Sequence, residues 1–117
     1  MDRLDEYRSL VKKLLSYYAN LIQNRLRGPN SNDETFVMFD EERAHYMIMT
    51  WGWEKEYHRV NDADVYIRIK NNKLWIEQDG LEDGIATDLM EAGVPKEDIV
   101  LAFHHPKMRP YTEFAVA

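Results

Sequence analysis

Apolar residues recur at spacings of three and four over the start of the chain. Leu4, Tyr7, Val11, Leu14, Tyr18 and Leu21 form one line, and Leu10, Leu15 and Ile22 widen it. This pattern predicts an amphipathic helix of about five to six turns. Gly28-Pro29 is its predicted stop, because glycine suits the position after a helix and proline cannot extend the ladder. The polar PNSNDE that follows reads as a loop. A coiled-coil seam would use the same stripe, but packing against the chain's own sheet is its simpler use.

The period then shortens to two. Thr35 to Phe39 and His45 to Trp53 are rich in aromatic and β-branched residues, and the charged Asp40-Glu41-Glu42-Arg43 separates them. They read as a hairpin. Tyr46 and Ile48 point to one face of the second strand, and Met47, Met49, Trp51 and Trp53 to the other. Apolar residues on both faces predict two covers, one the first helix and the other a partner or a second copy. A second hairpin, VYIRIK and KLWIEQ, closes at Asn71-Asn72, residues that tolerate positive φ. Closure there sets Ile69 opposite Leu74 and Ile67 opposite Ile76, and Arg68 across from Trp75 as a cation–π pair.

Gly80 and Gly84 bracket a loop. Ile85, Ala86, Leu89 and Met90 then predict a helix of about two to three turns, ended by Gly93 and Pro95. Pro95 to Asp98 reads as a turn and Ile99 to Phe103 as a central strand. Pro106 and Pro110 restrict the connection to Tyr111–Val116, which is expected to dock in a sheet or an interface because the chain stays apolar to Ala117. The fold class is therefore α+β: an antiparallel sheet of two hairpins plus C-terminal strands, packed with a long N-terminal helix and a short second helix. A chain of 117 residues predicts one domain over 1–117.

Charge narrows the function classes. The 15 basic and 21 acidic residues leave a net charge of −6, which disfavours an autonomous DNA binder. A basic strip of Lys12, Lys13, Arg25 and Arg27 is the one arrangement that would support direct DNA contact. With no cysteine, thiolate catalysis, disulfides and cysteine zinc sites are excluded. The charged start and the lack of an apolar run near membrane length predict a soluble cytoplasmic protein.

Catalytic signatures are missing. There is no GxSxG elbow, GKS/T phosphate loop, GxGxxG fingerprint or HExxH helix. Ser9, Ser16 and Ser31 lie in the first helix or the loop after it, and none reads as a nucleophile. A nuclease of the E-x-K type fails at Glu77, whose follower at that spacing is Asp79. His104 and His105 are neighbours in an extended segment and face opposite ways, so a metal site would need His45, His58 or a carboxylate to converge on one of them. Asp33-Glu34 and Asp40-Glu41-Glu42 lack the oxygen spacing of a calcium loop and read as solvated faces. Arg109 and Glu113 suit either a mutual ion pair or a polar contact to a partner. Trp51 and Trp53 suit either core or a binding surface.

The N-terminal LDEYRSLVKKLL, the HY…GW strand, the hairpin ending KLWIEQDG and the segment GIATDLMEAGVPKEDIVLAFHHPKMRPYTEFAVA together resemble the XisI family over essentially the whole chain. Three positions depart from the family pattern: Tyr66 stands where a histidine is common, Asn72 where the turn has glycine, and Leu81 where a threonine is common. The resemblance implies an accessory protein and not an enzyme, without a cofactor. It implies action with an XisH-like, nuclease-like partner and a large serine recombinase in excising a DNA element in filamentous, heterocyst-forming cyanobacteria. An antitoxin-like restraint of the XisH-like protein is the alternative, and a metal-dependent enzyme using His104 or His105 is a third reading. The expected partner or homodimer interface comprises Trp51, Trp53, His104, Arg109, Tyr111, Glu113 and Phe114.

Overall fold

The computed structural model describes residues 2–26, 33–54 and 57–117. The predicted stop at Gly28-Pro29 and most of the loop after it lie outside the described residues. Helix α1 (Arg3–Leu26) is followed by strands β1 (Glu34–Asp40), β2 (His45–Glu54), β3 (His58–Lys70) and β4 (Lys73–Asp79). Helix α2 (Ile85–Glu91) then leads to the short strand β5 (Ile99–Leu101). The strands form one sheet in the order β1-β2-β3-β4-β5. The first four pair antiparallel as a meander, and β5 runs parallel to β4. The expected α+β class, with two hairpins and a long and a short helix, is the one observed, with a sheet that is mixed because α2 carries the chain back to start β5 beside the start of β4.

Helix α1 begins on a true cap: the Asp2 carboxylate accepts the Asp5 N–H at 2.9 Å, and Asp5 and Glu6 sit in the positive first turn. Its buried line is Tyr7, Val11, Leu15 and Ala19, spaced by four, with Leu10, Leu14, Tyr18 and Ile22 on its margins. The sequence pattern places the stripe correctly but centres it one step to the side. Ala19, too small to signal burial, lets the helix approach the sheet. That line packs on the face formed by Tyr46, Ile48, Val65, Ile67, Leu74 and Ile76, all at most 1% exposed. Leu89 and Ile85 of α2 join the same cluster, so both helices cover one face and leave the other helix-free.

Local chemistry sets the turns. In the β3–β4 hairpin, Asn71 and Asn72 take φ of 53° and 63°, the paired left-handed values of a tight two-residue turn. The register is the anticipated one, Ile67 to Ile76, Ile69 to Leu74 and Arg68 to Trp75. In the β1–β2 turn, Asp40 accepts the Arg43 N–H at 3.0 Å and binds its guanidinium at 3.2 Å. These bonds to Arg43 hold the Asp40 carboxyl below its ordinary range. Ala44 closes that turn with φ 57°. At the end of β4 the Asp79 carboxylate accepts the N–H groups of Leu81 at 3.1 Å and Ile85 at 2.7 Å, which ties the loop down and caps α2.

Helix α2 stops in a Schellman arrangement. Val94 N–H reaches Leu89 O and Gly93 N–H reaches Met90 O, both at 3.0 Å, with Gly93 at φ 103°. Val94 and Leu89 are both buried, completing the apolar contact of that motif. Two tyrosines of α1 connect it to this crossover. Tyr7 donates to Asp98 Oδ2 at 2.6 Å, beside the Arg3–Asp98 ion pair at 3.2 Å, and Tyr18 donates to Asp88. Both phenols are pushed up to about 12, Tyr7 first by burial and Tyr18 first by its hydrogen bond to Asp88.

The structure departs from the sequence reading at three places. Strand β3 begins at His58 and pairs along the length of β2. Its polar start, HRVNDAD, carries no alternating apolar signal, and a bulge at Asp64 breaks the period, since Ile48 pairs with Val65 and Met49 with Ala63. The run Ile99–Phe103 supplies only a three-residue strand, and it stands at the end of the strand order and not in the middle. Tyr111–Val116 is not a strand: Arg109–Tyr111 is a 3-10 turn, and only Ala115 bridges to Val100, its N–H donating to Ile99 O at 2.9 Å. Pro106 and Pro110 keep that segment irregular.

Two glycines separate backbone strain from steric exclusion. A Cβ at Gly93 meets nothing within 4 Å, so Gly93→Ala should cost only its left-handed backbone, about 1–2 kcal/mol. A Cβ at Gly80 would lie 2.9 Å from the Asp64 carbonyl oxygen, the acceptor of the Gly80 N–H at 2.7 Å. Gly80→Ala should therefore cost more than Gly93→Ala in urea unfolding followed by circular dichroism. Tyr7 and Tyr18 add a dependence on alkaline pH. The folded chain holds the Tyr7 and Tyr18 protons more tightly than the unfolded chain, whose phenols titrate near 10. Their stabilisation is whole below pH 10 and is lost as pH rises to about 12. Tyr7→Phe with Tyr18→Phe should flatten the fall in stability across that window.

Candidate interaction surface

The helix-free face divides into two parts. On β1–β3 it is apolar and rich in methionine. The ladder sets Met38 beside Met47, Phe36 beside Met49, and Trp51 and Trp53 further along β2. Met38 is 50% and Trp53 54% exposed. The Arg59 guanidinium lies 4.8 Å from the Trp51 ring and 5.1 Å from the Trp53 ring, spanning both indoles. At the other end of β2, His45 and the Tyr66 hydroxyl are hydrogen-bonded. The departure at Tyr66 therefore puts a phenol beside His45.

On β4 and β5 the same face is covered. Trp75, although it points away from the helices, is only 7% exposed. Its indole N–H donates to Lys70 O at 2.9 Å, and Lys70, Arg109 and Arg68 stand 4.8, 5.5 and 6.0 Å from its ring. Arg68 also holds Glu77 at 2.8 Å. The anticipated Arg68–Trp75 contact is thus one of three cation contacts to this ring.

Arg109 is the pin of the C-terminal loop. Its guanidinium donates to the carbonyls of His104 at 3.1 Å, Ala102 at 3.2 Å and Val116 at 3.4 Å while lying over Trp75. Three carbonyls from both ends of the loop on one planar fork give this irregular segment a defined shape. The loop holds Phe103, Met108, Tyr111 and Val116 in solvent, with Tyr111 84% exposed. Phe103 stacks against His104 at 4.7 Å, and His105 Nδ1 accepts the Lys107 N–H at 3.1 Å. Among the described residues, no group of three His, Asp or Glu side chains gathers to hold a metal.

The anticipated interface residues fall into separate groups. Trp51 and Trp53 share Arg59 on β2–β3. His104, Arg109 and Tyr111 belong to the C-terminal loop, whose Arg109 lies over Trp75 of β4, two strand spacings or ~10 Å from β2. Glu113 pairs with Lys96 at 3.1 Å and not with Arg109. Phe114 packs against the core cluster, so its part is to anchor the loop. Arg59, Met38, Phe103 and Met108 were missed. Arg59 lies in the unrecognised half of β3, and the other three are single apolar residues whose exposure only the fold decides. In the basic strip, Lys12 is engaged by Glu41 at 3.1 Å, and Arg27 lies outside the described residues. Arg25 borders a cavity of about 220 Å³ between the end of α1 and Leu81–Gly84, floored by Leu21 and Ile22. No helix is long and apolar enough to cross a membrane among the described residues.

A family model described as XisI protein matches residues 1–116. The chain is also similar to two solved structures from Anabaena variabilis. One is a XisI-like protein, 36% identical with a TM-score of 0.86, covering 98% of this chain and 100% of that one. The other is the fdxN element excision controlling factor XisI, 34% identical with a TM-score of 0.82, covering 99% of this chain and 100% of that one. Comparison with curated proteins gives no match. A family match over nearly the full length, joined to structural relatives above 30% identity with the same fold, means that this chain belongs to the XisI family.

Proposed function

We propose that this protein is a non-enzymatic accessory factor that controls excision of a DNA element by binding another protein through its C-terminal loop. The XisH-like protein of the same genome is the proposed partner. One observation carries the reading: Arg109 fixes an irregular loop by three carbonyl bonds while Phe103, Met108, Tyr111 and Val116 stay exposed on it. Holding such a loop in one shape reduces the ordering cost of binding. Large apolar side chains clustered on it give a partner something to bury. The role in excision is carried over from the Anabaena controlling factor, to which the chain is similar along its whole length.

Co-purification of this chain with that XisH-like protein, followed by mass determination in solution, tests the reading. A stable complex is expected, with Tyr111→Ala and Met108→Ala each weakening it about tenfold or more. Arg109→Ala should weaken it as well, by releasing the loop, whereas Trp53→Ala should leave it intact. Failure of the unaltered chains to associate would sink the proposal.

A further inference from the structure

We propose that two copies of this chain pack together through the helix-free face of β1–β3, about a twofold axis that runs along β2. Met47, Met49, Trp51 and Trp53 form the midline of that face, and its two flanks differ in charge and in size. On the β1 side, Glu34, Phe36 and Met38 are the ladder partners of Trp51, Met49 and Met47. On the β3 side, Asn61, Ala63 and Tyr66 are the partners of the same three residues, and Arg59 partners Trp53.

One flank is therefore acidic at its end and bulky at its centre; the other is basic at its end and small at its centre. A half-turn about the β2 line lays the first flank of one copy on the second flank of the other. Glu34 then meets the end that carries Arg59, and Phe36 enters the gap above Ala63. Symmetry makes each contact twice. The strands of the two sheets stay aligned, the ordinary geometry for sheets stacked face to face about 10 Å apart.

Charge selects a second copy over other occupants. Neither Glu34 nor Arg59 is in a salt bridge among the described residues, and the Arg59 guanidinium lies over the two indoles. Covering this face with an unrelated apolar surface would strip water from a cation and an anion and leave both unpaired, which is costly. The twofold supplies each with the other. Tryptophan, arginine and methionine are also enriched where interfaces are fully buried. The contact leaves the C-terminal loop on β4–β5 free, so it stands or falls independently of partner binding there.

Sedimentation equilibrium of the full chain, over micromolar concentrations, tests this directly. The expected mass is twice that of the 13.9 kDa chain. Arg59→Glu and Glu34→Arg, both exposed positions that should fold normally, are each expected to raise the dimer dissociation constant at least about tenfold. The double variant restores the pairing with the charges exchanged, and should return it toward the original value. Trp53→Ala should give a monomer with an unchanged circular dichroism spectrum. A monomer at tens of micromolar, a dimer that neither charge reversal weakens, or a double variant no tighter than the singles would each overturn the proposal. Loss of the dimer only in Trp53→Ala would overturn it too, because the twofold requires Glu34 and Arg59 to meet.

Discussion

The seating of one apolar line of α1 on one face of the sheet is the contact on which everything else depends. Tyr7, Val11, Leu15 and Ala19 fill the space above Tyr46, Ile48, Val65 and Ile67, and a contact of that size stabilises a small domain by several kcal/mol before entropy is set against it. Because α2 is recruited to the same side, the apolar material of both helices goes into a single cluster. Neither helix shields the opposite face, and the C-terminal loop covers only its β4–β5 part. The exposed aromatic and methionine residues of β1–β3 follow from where the helices go.

The same contact is reinforced at its ends by polar bonds that reach the last part of the sheet. Tyr7 to Asp98 and Tyr18 to Asp88 couple the helix to the crossover that delivers β5. Asp79 fixes the start of that crossover and Gly93 its end. A three-residue parallel strand has few ladder bonds of its own, and these side-chain bonds hold it in place. Beyond it, a single bridge at Ala115 and the Arg109 fork replace regular structure. The C-terminal loop is therefore shaped by side chains rather than by a ladder, and it can present apolar groups to solvent without adopting a strand.

Charge is sorted by face. The chain as a whole is acidic, yet Arg59, Arg68, Lys70 and Arg109 all lie over tryptophan rings on the helix-free side. A guanidinium over an indole keeps its charge available while its flat surface is covered by the ring. Net charge thus describes the solubility of the molecule and its long-range field, and says little about the chemistry of this one face. An aromatic and cationic face on an acidic protein is suited to recognising surfaces that combine apolar groups with carboxylates.

By itself the sequence determined the local elements: the α1 stripe, the Asn71-Asn72 hairpin with its register, the stop of α2 at Gly93 and the family signature of the last third. Each is written within a few residues of itself, in period, turn chemistry or motif. Tertiary structure decided the rest. The polar half of β3 is a strand because β2 offers it a ladder, not because its side chains alternate. The run at Ile99 is cut to three residues because the chain must turn at Ala102 toward the Arg109 pin. Trp75 is buried and Trp53 exposed although both point away from the helices, because the C-terminal loop crosses β4 and does not reach β2. Exposure of a side chain depends on which distant segment comes to rest on it, and no local pattern encodes that.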